Sequence, residues 1–247
     1  MADVMGLFLD VYTRRARLYP ALLVVLPIAM PLVAWFPPPK VGWGALLGIA
    51  VWSGGAMLVT QISRVWGKAV ERDLFEAWGG IPTTVLLSHR GNANTVLLAQ
   101  RHRKLRQLLP DVVLPTHAEE CTAPLAAAQA YDACVTWLRS KTRDHSAFPL
   151  LFEENCNYGF RRNLVGLKPL GITVSGISLL ACLLTVCIDI VRDSVPISPV
   201  LVVGLVLSLA FLLAWLLWLR DAWVKPTAYA YAEQLLATID QLEADQR

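Results

Sequence analysis

Four stretches of the chain run without interruption by charge, and the rest alternates polar and apolar positions. Residues 19–36, 41–61, 169–190 and 199–219 are each long enough to cross a hydrocarbon layer. Asp189 is the only charged residue in the four. They fall as two pairs with short connections, so the pattern predicts two transmembrane hairpins. Between the hairpins, residues 62–168 read as a polar, mainly helical domain. Residues 1–18 place Val4, Met5, Leu7, Phe8, Val11 and Leu18 against Asp3, Asp10 and three arginines at helical spacing, which predicts an amphipathic surface helix. Residues 220–247 predict a last helix, on which Ala228, Ala232, Leu235, Ile239 and Leu242 form an a/d seam. The expected fold is therefore an all-α integral membrane protein with four spans, an inserted cytosolic domain and a C-terminal cytosolic helix.

Local signals refine the polar domain. A helix continues out of the second span to Trp78, and Gly79-Gly80-Ile81-Pro82 breaks it. Val85–Leu87 reads as a strand or a helical turn, and Arg90-Gly91-Asn92 as a turn. Asn94 starts a helix that ends before Pro110. Residues 115–120 read as loop. Thr122 is the expected N-cap, with Pro124 in the first turn, of a helix to Lys141. Residues 152–164 are expected to be helical. In the spans, Pro27 and Pro31 predict a hinge in the first, and Gly44, Gly48, Gly54 and Gly55 predict close helix packing in the second.

Composition supports the membrane reading. Hydrophobic residues make up 55% of the 247, and only 17% are charged, where a soluble domain carries about a quarter. Positive charge sets the orientation. Arg14, Arg15, Arg17, Arg64, Lys68, Arg161, Arg162, Lys168, Arg220 and Lys225 flank one side, and Lys40 and Arg192 the other. Both termini and the polar domain are thus expected in the cytoplasm of a cell-membrane protein. The start does not read as a signal peptide, because its basic cluster follows an apolar stretch. The five cysteines show no disulfide spacing. A formal charge of +3 makes nucleic acid a poor overall partner. Lipid, other copies of the chain, an anionic small molecule or a cytosolic protein are the expected partners.

Motifs for chemistry are scarce. No GxSxG, Walker loop, GxGxxG or HExxH occurs. Cys121, Cys134, His117 and His145 lack paired zinc spacing, so no metal or cofactor is expected. Arg139 and His145 loosely resemble the Arg-x4-6-His motif of HEPN ribonucleases, with Ser140 replacing the usual polar residue after the arginine. No charged group lies near the middle of a span, Asp189 standing at the outer end of the third, which argues against an ion-coupled transporter. Two polar clusters remain. Arg90, Arg101, His102, Arg103 and Arg106, with Lys104 between them, form a candidate anion-binding surface. Glu153, Glu154, Asn155, Tyr158, Arg161, Arg162 and Asn163 crowd the approach to the third span and form a candidate ligand or interdomain network.

The layout is similar to membrane effectors of bacterial defence, a similarity of architecture alone. The expected function is non-enzymatic: an oligomeric inner-membrane protein whose cytosolic domain senses a ligand or partner and alters permeability. A non-conducting anchor or scaffold for a cytosolic partner is the first alternative. A membrane-interface enzyme on lipid or nucleotide, using Glu153, Glu154, Tyr158 and His89, is the second.

Overall fold

A computed structural model describes residues 10–35, 43–90, 94–192 and 198–244, with backbone alone for 30–35, 43–53, 56, 243 and 244. Every regular element among these is a helix. The chain divides into two compact units, one of residues 1–71 and 159–223, the other of residues 72–158 and 224–247.

The first unit holds α1, α8 and α9. Helix α1 runs through Val11–Thr13, a π-helical stretch Arg14–Leu18, and Tyr19–Trp35. Asp10 caps it by accepting from the main-chain N–H of Thr13 at 2.9 Å. Helix α8 spans Lys168–Val191, and α9 spans Pro199–Leu213 and continues as a π-helical turn, Ala214–Trp218. Pro169 and Pro199 sit in first turns, where no N–H is needed. The three helices pack pairwise. Val24, Leu164, Leu167, Trp215 and Leu219 form their core. Gly171 makes room for it, since a Cβ there would lie 2.3 Å from the Trp215 ring. The start of α2 (Trp43–Ala77) and the end of α7 (Pro149–Gly166) belong to the same unit and cross at two glycines. A Cβ on Gly166 would lie 2.8 Å from the Gly67 nitrogen.

Prolines shape α1. Pro20 and Pro31 lack the N–H groups that the carbonyls of Ala16 and Pro27 would accept in an α-helix. Both carbonyls take side-chain donors instead. Asn163 Nδ2 donates to Ala16 O at 2.7 Å, and Ser178 Oγ donates to Pro27 O at 2.7 Å. Asn163 and Ser178 are both fully buried. The Ser178 hydroxyl has one proton and gives it to Pro27, so Ser208 Oγ, 2.7 Å away, must donate to Ser178. Three helices are thereby tied at a carbonyl that an apolar surround would otherwise leave unsatisfied. Pro27 lies within an unbroken helix, and the Pro31 side chain is outside the described residues.

The second unit is a helical cluster. Helix α2 ends in a Schellman turn: Gly79 (φ +80°) and Gly80 (φ +138°) direct their N–H groups to Glu76 O and Phe75 O. Then follow α3 (Pro82–Val85), α4 (Thr95–Leu108), α5 (His117–Thr122), α6 (Pro124–Lys141), the first half of α7, and α10 (Lys225–Ala244). Leu105, Tyr131, Val135, Leu138, Leu235 and Ile239 lie at the centre of its core.

Several expectations change. Residues 117–122 are helical rather than loop, because Thr116 and Glu119 form a reciprocal capping box. Thr122 therefore closes α5 and does not cap α6, which starts after Ala123 with no side-chain cap. Of the two readings of Val85–Leu87, the helical turn holds: Val85 ends the short helix Pro82–Val85, with Leu86 as its C-cap. The α10 seam is internal: Ala228, Ala232, Leu235 and Ile239 are buried in their own unit, leaving no free stripe for a coil with a second copy. Of the four expected spans, two described helices meet the length and apolarity of a crossing, Lys168–Val191 and Pro199–Trp218. The helix at the first position, Tyr19–Trp35, has 17 residues, and much of the second lies outside the described side chains. A Cβ on Gly54 or Gly55 would meet nothing within 4 Å, so neither packs closely against this chain. Gly44 and Gly48 are helical, with their surroundings outside the described residues, as are residues 1–9 of the expected surface helix.

Candidate functional site

The polar stretch before α8 is divided between the two units. Its first half, Glu153 to Tyr158, lies in the second unit, and Arg161 to Asn163 lie in the first. In the first unit, Arg162 Nη1 donates to Glu71 Oε2 at 2.6 Å, and Arg162 Nε and Nη2 donate to Asn163 Oδ1 at 3.3 and 3.2 Å. Lys68 reaches the same Glu71 oxygen at 3.0 Å. Arg161 stacks over the Trp223 ring and donates to Trp223 O at 2.9 Å, while Lys168 Nζ donates to Leu219 O at 2.8 Å. These two cations satisfy carbonyls past the end of α9, where the macrodipole favours positive charge. The Arg161–Asn163 half is a brace: its polar atoms named here bond to one another, to α1 and α2, or to main-chain carbonyls after α9.

In the second unit, Glu154 and Asn155 are half-buried, and Tyr158 is buried with its ring stacked on Tyr231, 13° from parallel. Asn155 lines a cavity of about 460 Å³ together with Arg139, Arg143, His145, Phe152 and Tyr231.

The basic residues near α4 do not share a face. His102 is buried, and its Nε2 donates to Leu87 O at 2.8 Å. Burial lowers its pKa, a direction that His89 and Arg106 reinforce. Arg101 faces the acidic side of α10, near Glu233 and Asp240, and Lys104 pairs with Asp240 at 2.7 Å. Arg103 and Arg106 are exposed. Arg90 sits elsewhere, 3.8 Å from Glu120. The helical period carries residues 101–106 through more than a full turn, so they divide among core, α10 and solvent.

Sequence reasoning missed a cluster around Glu120. This carboxylate is buried and accepts from Ser88 Oγ, from the His89 main-chain N–H at 2.8 Å and from Tyr131 Oη at 2.8 Å. Burial pushes its pKa up, but the three donors outweigh that, and the carboxyl lies below its ordinary value. Tyr131 is correspondingly pushed up by burial and by its bond to Glu120. The His89 ring stands edge-on to His102 at 5.1 Å and to His117 at 5.9 Å. Glu120, Ser88, Arg90 and Tyr131 also line a cavity of about 480 Å³ beside Gly79, Gly80 and Asp132. A Thr116-x-x-Glu119 capping box was legible and would have placed Glu120 on a helix, though not its partners 31 and 32 residues away.

Reaction chemistry finds little purchase. Glu120 is saturated by donors that hold it as an anion, which suits a structural hub and not a general base. Burial pushes the Cys134 thiol up to about 11, so it is no thiolate nucleophile. Glu153, Glu154, Tyr158 and His89 line neither of these two cavities. Among the described residues, no three metal-binding side chains gather.

No protein-family model matches the chain, and no curated protein and no solved structure is significantly similar to it.

Proposed function

We propose that the protein is a four-span membrane protein with cytoplasmic termini, whose 72–158 and 224–247 unit receives a ligand and which, as an oligomer, alters the permeability of the bilayer. One observation carries the reading. Side chains of α8 and α9 are apolar all round yet stand largely exposed: Leu180 is 61% exposed, Leu184 62%, Val191 86% and Val206 62%. A soluble core helix of this composition would be buried on most sides. In water so continuous an apolar surface is unfavourable by roughly 25 cal/mol per Å², and lipid or neighbouring copies remove that penalty.

The charge arrangement supports the orientation. Lys168 and Arg161 cap the end of α9 on the side where arginine and lysine accumulate along the sequence. Ligand reception is supported by two cavities of ligand size in the second unit. An oligomer is the natural partner of the open Gly54 and Gly55 positions.

Two measurements test this. The protein should stay in the membrane pellet after alkaline carbonate extraction, and Leu180→Arg should cost about 2.5–3.5 kcal/mol in an insertion assay. At a water-exposed position the same change would be nearly neutral, and that outcome would remove the membrane reading. Reconstituted liposomes should then leak a small dye on ligand addition. Leakage unaffected by any ligand tested would leave a membrane anchor.

A further inference from the structure

We propose that the cavity between α6, the 142–148 turn, α7 and Tyr231 is a binding site for a small phosphorylated ligand with a flat ring, of the nucleoside monophosphate class. The two cavities of the second unit differ in charge. The one beside Glu120 carries Arg90 against Glu120 and Asp132, and so disfavours anions. The other is lined by Arg139, Arg143 and His145, with Asn155 and Thr142 as neutral polar groups, and no carboxylate. The nearest acid in sequence, Asp144, is turned to its own loop, accepting from Ser146 N at 2.9 Å and Ser146 Oγ at 2.6 Å.

Basic residues at the end of α6 are partly explained by the helix dipole. That accounts for Arg139 and Lys141, which lie in the last turn. It does not account for Arg143 and His145, which lie beyond the helix and still face the same space. Arg139 and Arg143 line the same cavity with no carboxylate between them, so their like charges repel, and no ion pair of either is found among the described residues. A doubly charged phosphate would relieve that repulsion, and two guanidinium forks match its oxygens.

The remainder of the lining is aromatic. Phe148, Phe152 and Tyr231 border the cavity, and the Phe152 ring stacks with His145 at a centroid distance of 4.0 Å. A cationic wall beside an aromatic one recognises a phosphate joined to a planar base, and about 460 Å³ has room for one nucleotide. Tyr231 is held by stacking on Tyr158, so that wall is preformed.

This deepens the ligand-receiving reading, and binding is measured apart from permeability so that the two can fail separately. Titration calorimetry on the full chain in detergent would use adenosine 5′-monophosphate, inorganic phosphate, glycerol 3-phosphate and adenosine. The monophosphate should bind more tightly than the other three. Arg139→Gln and Arg143→Gln should each weaken it about tenfold, as expected for a lost charge-assisted contact. Phe152→Leu should weaken the nucleotide and leave inorganic phosphate unchanged. Lys141→Gln, which removes an equal charge from a side chain lying over Trp137 outside the cavity, should change nothing. The arginines are exposed, so these variants keep the fold, and circular dichroism checks it. Equal binding of glycerol 3-phosphate would assign the site to phosphate or lipid headgroups. Tighter binding of a short single-stranded RNA, titrated in the same way, would overturn the mononucleotide assignment in favour of nucleic acid. No nucleotide binding, or binding indifferent to both arginines, would overturn the proposal outright. Binding without any dye leakage would leave it standing and sink the permeability function.

Discussion

Replacing Gly166 with alanine should destabilise the first unit, although alanine is the better helix former. The added Cβ would lie 2.8 Å from Gly67 N, 2.9 Å from Trp66 C and 3.0 Å from Gly67 Cα. Ordinary contact begins near 3.4 Å, so α2 and α7 must part by about 0.6 Å at their crossing. The atoms in the way are main chain in mid-helix, and no rotamer change relieves them. Overpacking of this kind costs about 1–3 kcal/mol. Alanine returns at most about 1 kcal/mol of helix propensity, and less at Gly166, the last residue of α7. The net is a loss of about 1–2 kcal/mol, enlarged if the parting stretches the Arg162–Glu71 pair. Gly176 is the internal control, because a Cβ there would meet nothing within 4 Å. Gly176→Ala should be neutral or stabilising by about 0.5–1 kcal/mol. At about 2–4 °C per kcal/mol for a chain of this size, thermal unfolding in detergent should separate the two variants by about 2–12 °C. Equal melting temperatures, or a more stable Gly166→Ala, would refute the close crossing.

Two further outcomes follow from the same geometry. Ser178→Ala leaves the Pro27 carbonyl without a donor and should cost about 0.6–1.7 kcal/mol in detergent unfolding. Combined with Ser208→Ala it should add little more, since Ser208 acts through Ser178; full additivity would break the chain of donors. Stability of the second unit should fall with acid in two windows, followed by circular dichroism. His102 has a folded pKa below its unfolded value, so the unfolded chain binds the extra proton as pH falls below about 6.5. Glu120 is also depressed, so its contribution is complete above about pH 4.3 and is lost as pH falls through its lower folded value. Glu120→Gln should shrink the lower window, to which Glu119 and Asp144 also contribute, and cost about 1–3 kcal/mol at neutral pH; an unchanged acid profile would show that Glu120 is not the hub.

Much of the fold was legible because it rests on local rules. Charge-free runs gave α8 and α9, Asn94 gave the start of α4, and Gly79-Gly80 gave the end of α2. Each depends on residues within about one helical turn, where propensity, capping and apolarity act. The missed start of α5 was a local signal passed over, since Thr116-x-x-Glu119 was present in the chain.

What the tertiary structure decided is pairing over long separations. Ser178 meets Pro27 across 151 residues, Asn163 meets Ala16 across 147, and Ser88 meets Glu120 across 32. A proline announces that the carbonyl four residues before it lacks a donor, but not which distant side chain will supply one. The polar run from Glu153 to Asn163 shows the same limit. Its composition marked it as crowded, yet only packing divided it, assigning Asn155 to a cavity and Arg162 to a brace. Sequence by itself determined where most helices lie and which two are long and apolar enough to cross a membrane, because those depend on neighbours along the chain. Tertiary structure alone decided which polar groups are spent on bracing helices within a unit and which still face open space, because that depends on neighbours across it.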